Sequence, residues 1–479
     1  MIDRRAFLKG SAAIAATTAV AGPFKGLTLR AARAKPVQAA GNAGYGPLRP
    51  VPDLRDGVKR LWLPKGFRYR SFNETGDVAA DGVPTPGLHD GMAAFPGPNG
   101  RIRLVRNHEI NGPEAAFGDA SKAYDAMAQG GTLTVEVDPD GSDHSAWVSR
   151  NGTQMNCAGG PTPYGTWITC EETINGPDVG NDFTGGDNSL LEEQHGYLFE
   201  VPASWGVGEY EKGTPIRAAG RFAHEAVAMD PQSGTLYMTE DNFGFPSGFY
   251  QFIPRPNPIR TGGLRDGGVL QMLKVVGEPG AELHRDRTVG EVLNVEWVRI
   301  PEPDTTFPEG TSNDEAIQFV GRQGLAEGAA IFSRLEGIWQ FGRKMYVNST
   351  QGGDAPNGAT SGFGRGAGQL WVYDIDDATL TLLFESPDAD VLDMPDNLTI
   401  SPRGTPLLCE DGRDDNLLRG VTDDGEIFDF ALNTLPERED EEFAGATFSP
   451  SGETLFVNIQ DDEQGMTYAI RGPWSNGPL

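Results

Sequence analysis

Apolar positions recur along this chain with period two, in short runs closed by turn residues, and no stretch sustains the 3.6-residue period of a long amphipathic helix. Six runs share one design: a turn residue, an alternating strand, then polar or acidic residues where the alternation stops. They are 101–109 (RIRLVRNHE), 164–173 (YGTWITCEET), 234–242 (GTLYMTEDN), 344–351 (KMYVNSTQ), 404–412 (GTPLLCEDG) and 452–460 (GETLFVNIQ). Ahead of each lies a strand that begins in polar residues: His89-Asp90-Gly91-Met92, Asn156-Cys157-Ala158, His224-Glu225-Ala226-Val227, Arg334-Leu335-Glu336-Gly337, Asp396-Asn397-Leu398 and the weaker Ala444-Gly445-Ala446. Behind each comes a third strand with a glycine near its start, at 131–138, 196–202, 248–254, 368–375, 425–430 and 465–470.

This repeat predicts an all-β fold, a six-bladed β-propeller with four-stranded blades over residues 67–479. Outer strands are expected at 146–149, 215–218, 270–276 and 380–384. The last repeat runs out of chain after its third strand, so 67–72 (FRYRSF) is expected to close the ring and cover the open edge. Residues 35–66 read as an N-terminal extension, and about 257–330 as an insertion forming a cap.

The first 34 residues carry Arg4-Arg5, a small-residue run and Ala32-Arg33-Ala34, which resembles a twin-arginine export signal and places the protein in the periplasm or outside the cell. The run is too short and Ala-rich for a stable membrane span. Removing the leader takes away six basic residues and one acid, which moves the formal net charge from −29 to about −34. Such a balance speaks against nucleic acid as a partner and allows a carboxylate cluster neutralised by cations. Three cysteines do not make a disulfide framework. Cys157 and Cys170 could pair; export after folding, together with the Cys170-Glu171-Glu172 triplet, favours a metal-bound thiolate at Cys170.

In a propeller, the start of each inner strand and the end of the next reach one mouth of the central channel. The starts carry Asp90, Asn156, Glu225, Arg334, Glu336, Asp396 and Asn397; the ends carry Asn107, Glu109, Cys170, Glu171, Glu172, Glu240, Asp241, Asn242, Glu410 and Asp411. Hard oxygens suit calcium and a thiolate beside glutamates suits a transition metal, so a mixed cluster is expected. His108 and His224 are read as hydrogen-bonding residues beside the ligands.

These marks resemble the PhoX-type alkaline phosphatases: the leader, HDGMAAF at 89–95, NHE at 107–109, TWITCEE at 166–172, HEAVAMDP at 224–231, TEDN at 239–242, RLEG at 334–337, PDNL at 395–398 and CEDG at 409–412. The resemblance implies a pair of Fe3+ ions bridged by a cysteine and an oxo group, with Ca2+ alongside. It implies Cys170 as the bridging thiolate, Glu171, Glu225 and Glu336 as iron ligands, and Arg334 as the phosphate-binding residue. Glu109, Glu240, Asp241, Asp396, Asn397, Glu410 and Asp411 are the candidate calcium and bridging ligands. The expected reaction is hydrolysis of small phosphate monoesters by in-line attack of a metal-bound oxo or hydroxide, with catalytic roles for Arg334, Cys170 and Glu171. The expected protein is a monomer whose other partner is the twin-arginine export machinery. A calcium-dependent propeller lactonase or a non-catalytic exported binding propeller would use the same acidic mouth without needing the thiolate or Arg334.

Overall fold

The structure, a computed structural model, describes residues 44–255, 259–359 and 361–479; the expected leader, 1–34, and the start of the expected insertion lie outside them. The alternating runs form antiparallel strands gathered in five sheets of six, three, nine, four and four strands. Six strands, His89–Pro96, Asn156–Pro161, His224–Met229, Leu335–Phe341, Pro395–Ile400 and Phe443–Phe448, pack each against the next and the last against the first. Each pairs outward with one of the alternating strands foreseen in the sequence: Ile102–His108, Thr166–Glu171, Leu236–Glu240, Lys344–Ser349, Pro406–Glu410 and Leu455–Ile459. The result is an all-β, propeller-like ring. Arg68–Phe72 pairs with Met466–Arg471, so the two ends of the fold meet in one sheet, as the missing outer strand requires.

Strands such as Thr166–Glu171 are buried on both faces, because each sheet is packed between two others. Small residues on the inner strands let them approach around the axis. A Cβ on Gly91 would sit 2.5 Å from Ala158 Cα, and one on Gly337 would sit 2.7 Å from Leu398 N. The cavity they line together with Trp167, Ile338 and Trp339 holds about 20 Å³, space for roughly one water.

Four details depart from the sequence reading. Residues 215–218 do not form a strand: Pro215 has no N–H, Ile216 donates to Leu198 O at 3.0 Å, and the chain turns into the 3-10 helix Arg217–Ala219. The third strand of the fifth repeat is Leu417–Val421, and of 425–430 the last four residues open the next strand, Ile427–Asn433. The stretch 257–330 supplies sheet as well as loop: Gly268–Val275 pairs with Val292–Arg299, which reaches on to Thr379–Glu385 and fuses two units into the nine-stranded sheet. Its helices, Asn313–Ile317 and Phe319–Ala326, follow, with Phe307 and Ala316 packed on Ile174 and Val179. Finally, Arg49–Val51 and Leu61–Leu63 extend the sheet beyond Ile427–Asn433, so the stretch ahead of residue 67 is woven into the fold.

Candidate metal centre

Every inner strand holds one residue more than its partner near its start. His89 faces His108 while Met92 faces Arg106, and the same slip recurs at Asn156/Gly159, His224/Val227, Leu335/Ile338 and Pro395/Leu398. In the sixth strand it falls one position later, at Ala444/Thr447. A bulge re-aims the side chain at the slip. The second residues of the first five strands are Asp90, Cys157, Glu225, Glu336 and Asp396; in the sixth the place is held by Ala444, which has no ligand atom.

Four inner strands are entered through a left-handed residue: Leu88 (φ 51°), Met155 (φ 45°), Arg334 (φ 46°) and Met394 (φ 50°). The carbonyl of each accepts an N–H from the first residue past the neighbouring strand: Glu109 at 3.0 Å, Glu172 at 2.9 Å, Thr350 at 2.9 Å and Asp411 at 3.0 Å. These bonds fix the backbone that carries Glu109, Glu172 and Asp411.

Three groups of ligand-type atoms result, each with its atoms within 4.8 Å of one another: Cys157, Glu172 and Glu225; Glu225, Glu336 and Asp396; Asp396, Asp411 and Glu442. Shared Glu225 and Asp396 chain them into one band. Arg334 flanks it, donating from Nε and Nη2 to Asp241 at 2.9–3.2 Å, with Nη2 also 2.7 Å from Glu336 Oε1. Burial pushes the Glu225 carboxyl well above the carboxylate range, and Glu336, Asp396, Glu172 and Asp90 push it further. Burial, then Glu225 and Glu172, raise the Cys157 thiol in the same way. Protons or cations must offset such a density of acids. The donors suit cations: Glu225 Oε1 is buried with no hydrogen-bond partner among the described residues, one group offers a thiol beside carboxylates, and the other two are all hard oxygen.

Glu225, Glu336, Asp396 and Asp411 thus come together as expected, and Asp241 and Arg334 stand beside them. Other candidates are placed elsewhere. Cys170 is in none of the three groups; it lies opposite the bulge, among Ile168, Leu198 and Phe222. That register position is held in other sheets by Asn107, Thr239 and Asn348, whose side chains donate to backbone carbonyls of the next inner strand. The thiol in the cluster is Cys157, and no disulfide joins the two.

Glu171, Glu240 and Glu410 also point away from the mouth. Each is the last residue of its strand and takes N–H donors from the loop beyond: Glu171 from Gly196 and Tyr197 at 2.9 and 3.1 Å, Glu240 from Gly248 at 2.9 Å, Glu410 from Leu417 at 3.0 Å. Burial raises Glu240 to about 8. Asn397 works beside the cluster, donating to Asp396 Oδ1 at 2.6 Å and accepting from Gly445 N at 2.6 Å. Glu109 and Asp90 are bridged by the Gln460 amide, at 3.1 and 2.9 Å. His108 donates to Gly87 O at 2.8 Å and His224 to Gly220 O at 3.0 Å; burial lowers His224 to about 3, so it stays a neutral donor. Sequence reasoning passed over Cys157, Glu172 and Glu442 as ligands. The signal was there for Cys157: aligned strand starts put it in the place of Glu225 and Glu336.

The model of the family described as alkaline phosphatase PhoX matches residues 43–144 and 139–463. The chain belongs to this family. It is therefore read as a metal-dependent phosphatase, a phosphomonoesterase by family. Among solved structures it resembles Pseudomonas fluorescens PhoX in complex with vanadate, a transition state analogue, with TM-score 0.63 and 17% identity over 91% of this chain and 99% of that one. At that identity the likeness speaks for the fold. A gluconolactonase of Xanthomonas campestris, XC5397, matches at TM-score 0.40 and 11% identity over 91% of this chain and 100% of that one. No curated protein matches the chain. Among the described residues no helix is long and apolar enough to cross a membrane.

Proposed function

We propose that the chain is an exported alkaline phosphatase that hydrolyses small phosphate monoesters at the band running from Cys157 to Glu442. The observation that carries this is the convergence of Cys157, Glu225, Glu336 and Asp396 from inner-strand bulges, with Glu172 and Asp411 from just past the neighbouring strands, beside Arg334. Cys157 with Glu172 and Glu225 suits iron, and Asp396, Asp411 and Glu442 suit Ca2+. Cations bound there supply Lewis-acid charge for the phosphoryl oxygens and lower the pKa of a water for in-line displacement.

The chain's own residues do the positioning. Asp241 and Glu336 grip Nε and Nη2 of Arg334 and so hold the guanidinium charge beside the band, where it would draw a phosphate oxygen. Asn397 orients Asp396 by donating to its Oδ1. A lactonase or a binding module would leave both Cys157 and Arg334 without a role.

The ring divides into six blades, the helices at 313–326 cap one side, residues 1–34 direct twin-arginine export to the periplasm, and the enzyme acts as a monomer. The test is metal analysis of protein exported through its own leader, beside turnover of p-nitrophenyl phosphate with and without a chelator. Iron with calcium, and activity lost on chelation, is the expected result; metal-free protein, or activity indifferent to chelation, would overturn it.

A further inference from the structure

A fully buried histidine outside the band bears on its thiol end. We infer that His195 is a positioning residue for Cys157, acting through Glu171; this rests on the phosphatase reading above. His195 Nδ1 donates to Glu171 Oε1 at 2.7 Å, and its Nε2 lies 3.4 Å from Asp125 Oδ2. Asp125 is itself held by the N–H groups of Met127, Glu192 and Glu193, at 2.7, 2.7 and 2.9 Å. All three side chains are wholly buried, so the imidazole has a single place to stand.

What Glu171 does with that anchor is the point. Its Oε1 also accepts the N–H of Gln154 at 3.0 Å, and its Oε2 accepts those of Gly196 and Tyr197. Gln154 opens the turn in which Met155 takes φ 45° and delivers Cys157 from the second place of its strand. On the other side of Glu171, Glu172 donates its N–H to Met155 O at 2.9 Å. One carboxylate therefore ties the turn carrying the thiol to the strand end carrying its neighbouring acid, and His195 fixes that carboxylate.

A second sheet repeats the device with a different cation. Arg419 Nε donates to Glu410 Oε1 at 2.7 Å, and that oxygen accepts the N–H of Asp393 at 2.9 Å. Asp393 stands two residues ahead of Pro395, as Gln154 stands two ahead of Asn156, and the left-handed Met394 then delivers Asp396. The recurrence of cation, glutamate, turn amide and ligand in two sheets ties His195 to ligand placement beyond mere loop anchoring.

The test compares His195→Ala and His195→Gln with the wild type in the full chain. It reads metal per chain, alkylation of Cys157 by iodoacetamide followed on its peptide, and kcat and KM for p-nitrophenyl phosphate. In the Ala variant Cys157 alkylation should rise at least about tenfold, metal should fall, and kcat should drop about 10–100-fold with KM within about threefold. The Gln variant, whose amide can still donate to Glu171, should recover most of each. Wild-type alkylation, metal and kcat in a merely less stable Ala variant would overturn the inference, as would failure of both variants to fold. Alkylation is read without turnover, so it decides the role of His195 even if the wild type hydrolyses no phosphoester, a result that would instead sink the reaction assignment.

Discussion

Glu171 and Glu172 are neighbours of the same residue type, and they do opposite work. Glu171 closes a strand and turns outward, where four donors hold it: the Gln154, Gly196 and Tyr197 amides and His195. Glu172, one step on, turns inward to Cys157 and Glu225. The pairs Glu240/Asp241 and Glu410/Asp411 repeat the contrast, with the first member bound to its loop and the second at Arg334 or beside Asp396. Alternation of faces separates an acid that builds the mouth from one that works in it. A saturated carboxylate stabilises; an acid crowded by others invites a cation.

The sharpest way to break this contrast is at Glu225, which two groups share. Glu225→Gln should lower kcat about 10³-fold, the equivalent of about 4 kcal/mol of charge stabilisation, with little change in Tm. A full-activity Glu225→Gln enzyme would mean the band is not the reaction centre. Next comes the 410/411 pair. Glu410→Ala leaves the Asp393 and Leu417 amides without their acceptor and Arg419 with Asp429 as its carboxylate partner, and should cost about 2–4 kcal/mol in denaturant unfolding. Asp411→Asn should cost less than about 1 kcal/mol while weakening calcium retention and activity; the reverse ranking would refute the division of labour.

How much of this was legible in the sequence follows from the same periodicity. The inner strand and its first partner in every repeat, and the pairing of residues 68–72 with the last strand, are carried by period-two runs, and they appear at the expected places. The choice within each acid pair is not, because a one-residue slip exchanges the two faces, and the slip here is a bulge that no propensity announces. Cys170 was favoured because it adjoins two glutamates in sequence; across the sheet it takes the place of Asn107 and Asn348 instead. Cys157 reads as a possible disulfide partner of Cys170; no acid adjoins it in the sequence, and its acids, Glu172 and Glu225, arrive from other strands. The strand at 417–421 was missed because Gly420 and the preceding GRDDN run read as loop.

A smaller effect sharpens the role of Arg334. Arg334→Lys keeps the charge but not the fork that Asp241 grips, so inhibition by inorganic phosphate should weaken about tenfold with metal content unchanged. Smaller still is the pH dependence of the outward network. Burial alone would lower His195, but Glu171 and Asp125 hold it up at about 9. Its ordinary value is about 6.5, so the folded state binds the extra proton. The resulting stability, roughly 3 kcal/mol, is fully present below pH about 6.5 and is lost as pH rises through about 9. His195→Gln should flatten that limb of a plot of unfolding free energy against pH; an unchanged slope would assign it to other groups.

The central claim is that the thiol of the centre is Cys157 and that Cys170 is packing. Metal per chain and phosphomonoesterase activity, measured side by side for Cys157→Ala and Cys170→Ala, test it most directly. The account predicts that Cys157→Ala loses metal and activity together, while Cys170→Ala keeps both and gives up about 1–2 kcal/mol of stability for the small cavity it opens. Metal and activity lost in Cys170→Ala but retained in Cys157→Ala would contradict it.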